Sequence, residues 1–464
     1  MRVAWLLLVS LALPLAGCDD GKSPKGVGPG DDTDVAQPAD DTGPSDDFHD
    51  PLSTPTEPTL DLDDFVSAEQ CAECHPDHVS EWRQSVHAHA MTDPVFRALV
   101  AVRHDAFDGE QDAFCIQCHS AIGTRSHDIT PGFAWEALDD RTLEGVNCEA
   151  CHRIQSIVRP FNAGHELDGT GPMRGPILDP EPSAFHTTEP AEWMAGAEFC
   201  GTCHDVYEVN GLPLERPYAE WLPSPAADEG RPCQTCHMPS RTGPAATGGP
   251  DRTLHDHRFV GVDVPESLDA ETRAGLRQEV DALLEGAGTV SLALADAVPA
   301  GGQLDVVVTV QNEIDAHNLP TGSSFNRQCW VEVIATDGAG RVLYETGTFD
   351  GNGDLRDHWS ELDPYGDSDL LAFHGGLVDA DGQPTRLTHD AIELRTRALQ
   401  PLHARTWTLF VPVPADAVGP IAVTARLRFR AYGPHLFRLL GLPNPEEGLV
   451  VTDIDAVAEV VAVQ

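Results

Sequence analysis

Five copies of the pentapeptide Cys-x-x-Cys-His lie between Cys71 and His237. In each copy two thiols are one short turn apart, and an imidazole follows the second thiol directly. This is the attachment pattern of c-type haem, in which both sulfurs bond the porphyrin edge and the histidine ligates the iron. The copies are motif 1 (Cys71, Cys74, His75), motif 2 (Cys115, Cys118, His119), motif 3 (Cys148, Cys151, His152), motif 4 (Cys200, Cys203, His204) and motif 5 (Cys233, Cys236, His237). The sequence therefore predicts five covalently attached haems c, each with iron.

Disulfides and zinc are the alternative uses of so many cysteines. Ten of the twelve cysteines belong to the motifs, which leaves Cys18 and Cys329. A disulfide framework gives no reason for a histidine after every second cysteine. Zinc ribbons pair two Cys-x-x-Cys units per metal, and five is an odd number of units. Haem attachment explains the spacing and the two alternatives do not.

The surroundings of the motifs resemble a known family. Motif 1 is followed by Trp82-Arg-Gln-Ser85-Val-His87-Ala88, motif 3 is preceded by Gly145-Val-Asn147, and motif 5 is followed by Met238-Pro239. These segments resemble multihaem c-type cytochromes related to the tetrahaem electron carrier of ammonia oxidisers. The resemblance implies densely stacked haems, electron transfer and a second histidine on each iron. Because this chain has five motifs against four in the prototype, the order of the haems does not transfer.

The second, distal iron ligands must come from histidines outside the motifs. The resemblance implies His87 from the Trp-x-x-Ser-x-His segment, and also His165, His186 and His257 from their positions around motifs 3, 4 and 5. His127, eight residues after His119, completes the candidate set, with His89, His104 and His255 in reserve. For any one of them the alternative is a surface or propionate-bonding side chain, because histidine has several roles besides metal ligation.

A further histidine lies in the C-terminal part of the chain. The segment from Gln311 through His317 to Gly322 resembles a loop in the C-terminal domains of multihaem cytochromes, except that Ala316 replaces the usual glycine. His317 is therefore a possible iron ligand at a domain junction. A structural loop histidine is the favoured interpretation.

The N-terminus predicts export. Residues 1–17 have a short basic start and an apolar run, and Leu15-Ala16-Gly17-Cys18 looks like a bacterial lipobox. Acylation of Cys18 would anchor the protein to a lipid membrane, whereas an ordinary secretory signal is the alternative. Residues 18–64 are rich in Asp, Pro, Gly and Ser, which predicts a disordered acidic tether. We therefore expect a lipid-anchored protein of the bacterial cell envelope, on the periplasmic face or the outer surface of the outer membrane.

The formal net charge is −46 over 464 residues. Such a charge repels phosphate backbones, so we expect no nucleic-acid partner. It would steer basic partners toward the protein, and other redox proteins of the envelope are the partners we expect. Solubility at an exposed surface is the alternative reason for the charge.

Composition divides the rest of the chain into three parts, which together predict an α+β multidomain fold. Residues 65–262 form the haem domain, mostly short helices and irregular backbone, with helices expected near 76–88 and 94–102. Residues 263–286 predict a helical connector with an apolar face. Residues 287–464 alternate apolar and polar positions between turns, which predicts an antiparallel, Ig-like β-sandwich.

Two smaller features lie in the C-terminal part. Cys329 beside Trp330 predicts a buried free thiol. Asp350, Asn352 and Asp354 with Glu361 have the spacing of a calcium loop, but Leu355 stands where that loop needs glycine. Calcium is thus a possible but disfavoured ligand.

Three functions fit the sequence. The favoured one is electron transfer through five haems, mostly with two histidines on each iron and with no catalytic residue. The alternative is a multihaem oxidoreductase, in which one open iron site acts on a small nitrogen or sulfur species such as nitrite, hydroxylamine or nitric oxide. A chiefly structural surface protein is the third, and five adjacent redox cofactors argue against it.

Overall fold

The computed structural model describes residues 59–464, which belong to one compact unit. Residues 1–58, which include the predicted signal peptide, Cys18 and most of the predicted tether, lie outside the described residues. The last residues assigned to the tether are part of the folded body, because Leu60 and Leu62 pack against a core cluster that contains Phe65. No helix within 59–464 is long and apolar enough to cross a bilayer.

The haem-motif region is built from short helices. They are α1 (Ala68–Cys71), α2 (Pro76–Gln84), α3 (Pro94–Phe107), α4 (Ala113–His119), α5 (Ala121–Arg125), α6 (Asp140–Leu143), α7 (Cys148–His152), α8 (Ala197–Gly201), α9 (Pro217–Trp221), α10 (Pro225–Asp228) and α11 (Gln234–His237). Single 3-10 turns lie at Leu62–Asp64, Trp135–Ala137 and Glu192–Ala195. The two predicted helices are present as α2 and α3. Each starts with proline, whose fixed φ suits the first helical turn.

Small two-stranded sheets connect these helices. The strands are β1 (Ile154–Ile157), β2 (His165–Leu167), β3 (Met173–Gly175), β4 (Thr188–Pro190), β5 (Val206–Tyr207), β6 (Pro213–Glu215), β7 (Ser240–Pro244) and β8 (Asp251–His255). Strands β1–β2, β5–β6 and β7–β8 pair antiparallel, whereas β3 and β4 pair in parallel. Apolar clusters here are small, so the region has little protein core around its large cavity.

Helix α12 (Ala270–Leu284) follows the motif region. Asp269 accepts hydrogen bonds from the amides of Glu271 and Thr272, which satisfies donors that a helix start leaves unpaired. Leu276, Val280 and Leu284 are buried at helical spacing and join the C-terminal core. The apolar face of the helix therefore packs against the hydrophobic core of the β-rich part.

The C-terminal part is β-rich. Its elements are β9 (Gly288–Ala293), β10 (Ala297–Val298), β11 (Gln303–Asn312), β12 (Gln328–Thr336), β13 (Val342–Thr346), β14 (Leu371–Ala372), β15 (Gly376–Asp379), β16 (Pro384–Thr385), a 3-10 turn at Thr388–Asp390, β17 (Ala391–Arg395), β18 (Ala404–Pro412), β19 (Ile421–Arg430), α13 (Pro434–Leu439) and β20 (Thr452–Val463). One sheet has the order β10-β20-β19-β12-β13 with β14 beside β12, and another has the order β18-β11-β9. The remaining sheet here is β16-β15-β17.

The two larger C-terminal sheets share one hydrophobic core. Alternate residues of β11, such as Val306 and Val308, are fully buried, and so are Val423 and Ala425 of β19. Period-two burial places one face of each sheet on the common core. The α+β class, with a cytochrome-like region before a β-rich region, is confirmed. A difference from the purely antiparallel expectation is the parallel pair of β10 and β20.

The calcium spacing does not form an open set of oxygen ligands. Asp354 is ion-paired with Arg438 and accepts the amide of His435. Asp350 accepts the amides of Asn352 and Asp354 and the hydroxyl of Ser360. These carboxylates already bond other groups of the protein. Within residues 59–464, no group of three or more His, Cys, Asp or Glu side chains is arranged to hold a metal ion. Cys329 is buried and unpaired on β12.

Candidate haem-binding centre

All five motifs face one cavity. Its volume is about 2120 Å³, and cysteines and histidines of every motif line it. Single small-molecule sites are about 300–1,000 Å³, so the cavity has room for several cofactors. The eleven cysteines among the described residues are all unpaired, which leaves the motif thiols free for thioether bonds.

A helical turn presents each motif to the cavity. The amides of His75, His204 and His237 bond the carbonyls of Cys71, Cys200 and Cys233 at 2.8, 2.9 and 3.0 Å. Motif 2 lies on α4 and motif 3 forms α7, where Asn147 caps the first turn. The i to i+4 spacing places the imidazole over the thiols on one face of the turn.

Within residues 59–464, four motif histidines face a second imidazole across the cavity. The ring centroids are 6.3 Å apart for His75 and His186, 6.4 Å for His152 and His257, 6.1 Å for His204 and His87, and 6.3 Å for His237 and His317. The interplanar angles are 24°, 23°, 49° and 23° respectively.

These separations fit a metal ion between the rings. Nitrogen–metal bonds of about 2.0 Å on each side, with the distance from each nitrogen to its ring centre, span roughly 6 Å. Direct stacking of the rings would bring them far closer, as the 3.8 Å between Phe96 and His119 illustrates. The residues therefore fit haem iron with two axial imidazoles at motifs 1, 3, 4 and 5.

Three of the five predicted distal candidates lie in such pairs: His87, His186 and His257. Burial and the neighbouring His204 lower the pKa of His87 to about 3. Burial and the neighbouring His152 likewise lower the pKa of His257 to about 3. Low pKa values keep both imidazoles neutral, and the neutral ring is the form that ligates metal.

His317 also lies opposite a motif histidine. The sequence favours a structural loop histidine at this position, but the structure places its ring opposite His237 of motif 5. The amide of Asn318 and the hydroxyl of Thr321 bond the carboxylate of Glu220, and Arg231 forms an ion pair with Asp315. These contacts hold the β11–β12 loop against α9 and the segment before motif 5. Folding of the β-rich part onto the motif region thus supplies this histidine.

His127 and His165 are not placed opposite a motif histidine. His127 is exposed and has a positive φ of 65° at a turn after α5. His165 on β2 is buried, and its pKa is lowered by burial and by the charge of Arg125, which also donates to the carbonyl of His165. It lies beside Cys203, a thiol of motif 4. His165 is therefore a wall residue of the cavity in this structure.

Motif 2 differs from the other four. The ring of Phe96 stacks on His119 with centroids 3.8 Å apart and planes 9° apart. The Nδ1 of His119 lies 3.2 Å from the carbonyl of Ala90. In the described part of the chain, no imidazole faces His119 at the separation seen in the four pairs. An aromatic residue on an apolar helix face indicates only a core position, so the sequence does not single out Phe96.

Backbone carbonyls orient most of the paired rings. Nδ1–carbonyl distances are 2.6 Å for His75, 2.5 Å for His152, 2.8 Å for His237, 3.3 Å for His186, 2.8 Å for His257 and 2.9 Å for His317. Because a carbonyl only accepts, Nδ1 carries the proton and Nε2 is free for a metal. Both rings of the pairs at motifs 1, 3 and 5 have this support.

Contacts between thiols order the motifs in space. Cys71 of motif 1 interacts directly with Cys148 of motif 3, Cys118 of motif 2 with Cys203 of motif 4, and Cys200 of motif 4 with Cys233 of motif 5. Cys151 of motif 3 lies within electrostatic range of both motif 4 thiols. The spatial order is therefore motif 1, motif 3, motif 4, and motif 4 also borders motifs 2 and 5.

Comparison with known proteins agrees with this centre. Residues 70–153 match the family model described as cytochrome c554 and c-prime. The fold is similar to that of a penta-heme cytochrome c552 from Thermochromatium tepidum, with a TM-score of 0.60 and 21% sequence identity over 87% of this chain and 100% of that chain. No curated protein sequence matches the chain significantly.

Two other structures overlap parts of the chain. The CARDB domain of the PF1109 protein from Pyrococcus furiosus covers 38% of this chain and 87% of its own at 11% identity, with a TM-score of 0.16. The C-terminal domain of wzt covers 39% of this chain and 75% of its own at 12% identity, with a TM-score of 0.19. Both scores are too low to indicate a shared fold.

The family-model match and the fold together support a multihaem c-type cytochrome. Haem-based electron transfer is the activity that this class supports.

Proposed function

We propose that this protein transfers electrons through five covalently bound haems c at the bacterial cell envelope. The observation that carries the proposal is the set of four histidine pairs with ring centroids 6.1–6.4 Å apart. When bound, haem supplies reversible one-electron chemistry at iron. Two protein ligands on one iron leave no position for a substrate, which favours outer-sphere transfer over catalysis.

The side chains of this protein hold, orient and shield the cofactors. When haem is bound, the motif thiols would tether each porphyrin, and at motifs 1, 3 and 5 two carbonyl-bonded imidazoles would hold the iron. Apolar walls such as Phe259, whose ring centroid lies 4.5 Å from that of His87, exclude water from the ligands. Fixed ligands change little between oxidation states, and small rearrangement favours fast transfer.

The thiol contacts support a branched route. It runs from motif 1 through motif 3 to motif 4, with motifs 2 and 5 as the two branches from motif 4. The partners we propose are basic redox proteins of the envelope, drawn by the net charge of −46. Acylated Cys18 would hold the protein at a lipid membrane.

A second candidate function is supported by motif 2. Among residues 59–464 no second imidazole faces His119 across the cavity, and Phe96 only stacks on the face of its ring, so iron held there would keep one axial position for an external ligand. A small nitrogen or sulfur species could bind at that position. This candidate makes the protein a multihaem oxidoreductase whose other four haems supply electrons.

Ferric-state spectroscopy tests the electron-transfer proposal. We expect low-spin signals from the four haems with paired histidines, and no change in those signals on addition of cyanide, nitrite or nitric oxide. His87→Ala should convert one low-spin signal to a high-spin signal that responds to cyanide. His127→Ala is the matched control, because that exposed ring faces no motif histidine and its removal should leave the spectrum unchanged.

Turnover separates the two candidates. If the wild-type protein reduces nitrite or oxidises hydroxylamine at a rate that cyanide abolishes, the enzyme candidate replaces the carrier. If a motif 2 high-spin signal is present without turnover, the carrier proposal stands.

A further inference from the structure

The pair formed by His204 and His87 has no hydrogen-bonded carbonyl on either ring. The Nδ1 atom of His87 is buried and has no hydrogen-bond partner. No protein acceptor bonds the ring of His204 among the described residues, whereas both rings of each other pair have a carbonyl within 2.5–3.3 Å. Against His87 lies the ring of Phe259, with centroids 4.5 Å apart and planes 64° apart.

This difference bears on the iron potential. A carbonyl that accepts from Nδ1–H makes the imidazole a stronger electron donor, which stabilises ferric iron and lowers the midpoint potential. Without that acceptor the imidazole donates less, and ferric iron is less stabilised. On the His87 side, the apolar ring of Phe259 beside the buried Nδ1 atom acts in the same direction, because a low dielectric disfavours the more highly charged ferric form.

The His87–His204 pair lies at a position where a change in haem potential would affect the whole electron route. Motif 4 borders motif 3 on one side and motifs 2 and 5 on the others, so it lies at the branch point of the proposed route. A haem of raised potential at a branch point holds an electron that can leave by either branch.

We propose that the haem of motif 4 has the highest midpoint potential of the four bis-histidine haems because His87 and His204 lack carbonyl acceptors. Reduction of this haem adds one electron to its iron and converts ferric to ferrous, with the electron taken from the chemical reductant or from a neighbouring ferrous haem. The inference rests on the proposed electron-transfer function and adds the position at which electrons collect.

A redox titration monitored by electron paramagnetic resonance tests this. The 49° between His87 and His204, against 23–24° in the other pairs, predicts a distinct low-spin signal with a larger maximum g value. His87→Ala should remove that signal and so assign it. On stepwise reduction of the wild-type protein, we expect this signal to disappear before the other low-spin signals; disappearance with them or after them overturns the proposal.

Variants of Phe259 test the cause. Phe259→Asn places an amide oxygen beside His87 at a backbone position, φ 49°, that asparagine tolerates well. It should lower the potential of the motif 4 haem most, because the Nδ1 atom of His257, whose ring Phe259 also contacts, already has the carbonyl of His255 as its acceptor. Phe259→Leu, which adds no acceptor, should leave the order of reduction unchanged. An unchanged potential in Phe259→Asn contradicts the proposed cause. Absence of low-spin signals from the oxidised wild-type protein, before any reduction, would instead contradict the proposed function.

Discussion

The paired imidazoles are the residue-scale feature on which the proposed function depends. In each pair, one histidine belongs to a haem motif and the other lies outside the motifs. Burial lowers the pKa of the distal rings His87 and His257 to about 3, so these rings are neutral at physiological pH and ready to bind metal. His317 is the least expected of the distal set.

His317→Ala provides a test at this scale. Removal of the ring that faces His237 should turn one low-spin haem into a high-spin haem that binds cyanide. His403→Ala is a suitable control, because that exposed ring lies in the same part of the protein and bonds only its local backbone. Optical and paramagnetic spectra that equal those of the wild type would show that His317 has a structural role only.

At the scale of elements, a buried ion pair fixes α3 against the loop after β5. Arg103 of α3 bonds both carboxylate oxygens of Glu208 at 2.5 and 3.1 Å, and the side chains are only 3% and 2% exposed. Arg103 also lies over the ring of Phe114, the residue before motif 2. Because α3 carries Phe96, this pair helps to position the surroundings of His119.

Glu208→Ala should destabilise the folded protein by about 3–5 kcal/mol, because it leaves a buried guanidinium unpaired. Arg103→Met combined with Glu208→Leu should cost less, since no charge is left buried without a partner. Urea unfolding followed by circular dichroism measures both. Equal losses in the single and double variants would contradict this account.

The same pair predicts a pH dependence. Burial by itself raises the pKa of Glu208, but the hydrogen bonds and charge of Arg103 outweigh it and hold that pKa below its ordinary value of 4.5. A lowered folded-state pKa means that the stabilisation is present above pH 4.5 and is lost as the pH falls through the folded-state value. The difference in unfolding free energy between wild type and Glu208→Gln should therefore shrink below pH 4.5.

At the scale of the whole molecule, five motifs share one cavity and one compact unit. We therefore expect five haem additions by mass spectrometry of the denatured protein. Replacement of both thiols of motif 4, Cys200→Ser with Cys203→Ser, should remove one addition. Because motif 4 borders motifs 2, 3 and 5, it should also broaden the thermal transition. The matched change in motif 1 should remove one addition with a smaller effect on stability.

Membrane attachment is the other whole-molecule prediction. The segment around Cys18 lies outside the described residues, and its lipobox pattern predicts acylation. Cys18→Ser should move the protein from the membrane fraction to the soluble fraction, because a diacylglyceryl group adds about 0.8 kcal/mol of membrane affinity per buried methylene. Cys329→Ser is the control, since that thiol is buried in the β-rich core. Unchanged partition of the Cys18 variant would contradict lipid anchoring.

The sequence by itself determined the features that depend on local spacing. The motifs place two sulfurs and an imidazole on one turn, and alternation in segments such as 304–310 and 421–429 predicts strands that the structure contains as β11 and β19. The apolar spacing in 263–286 likewise predicts the helix that the structure contains as α12. Each of these signals requires only residues that are close along the chain.

Tertiary structure decided which histidine faces which motif. His317 meets His237 only because the β11–β12 loop folds back onto the motif region, and His204 meets His87 from the other end of that region. No histidine among residues 59–464 faces His119 across the cavity, and Phe96 stacks on the face of its ring because α3 packs beside α4. Partners so far apart in sequence leave no periodic trace, and the loops that carry them are irregular. The choice between a filled and an open iron site therefore depends on how the folded chain closes around the cavity.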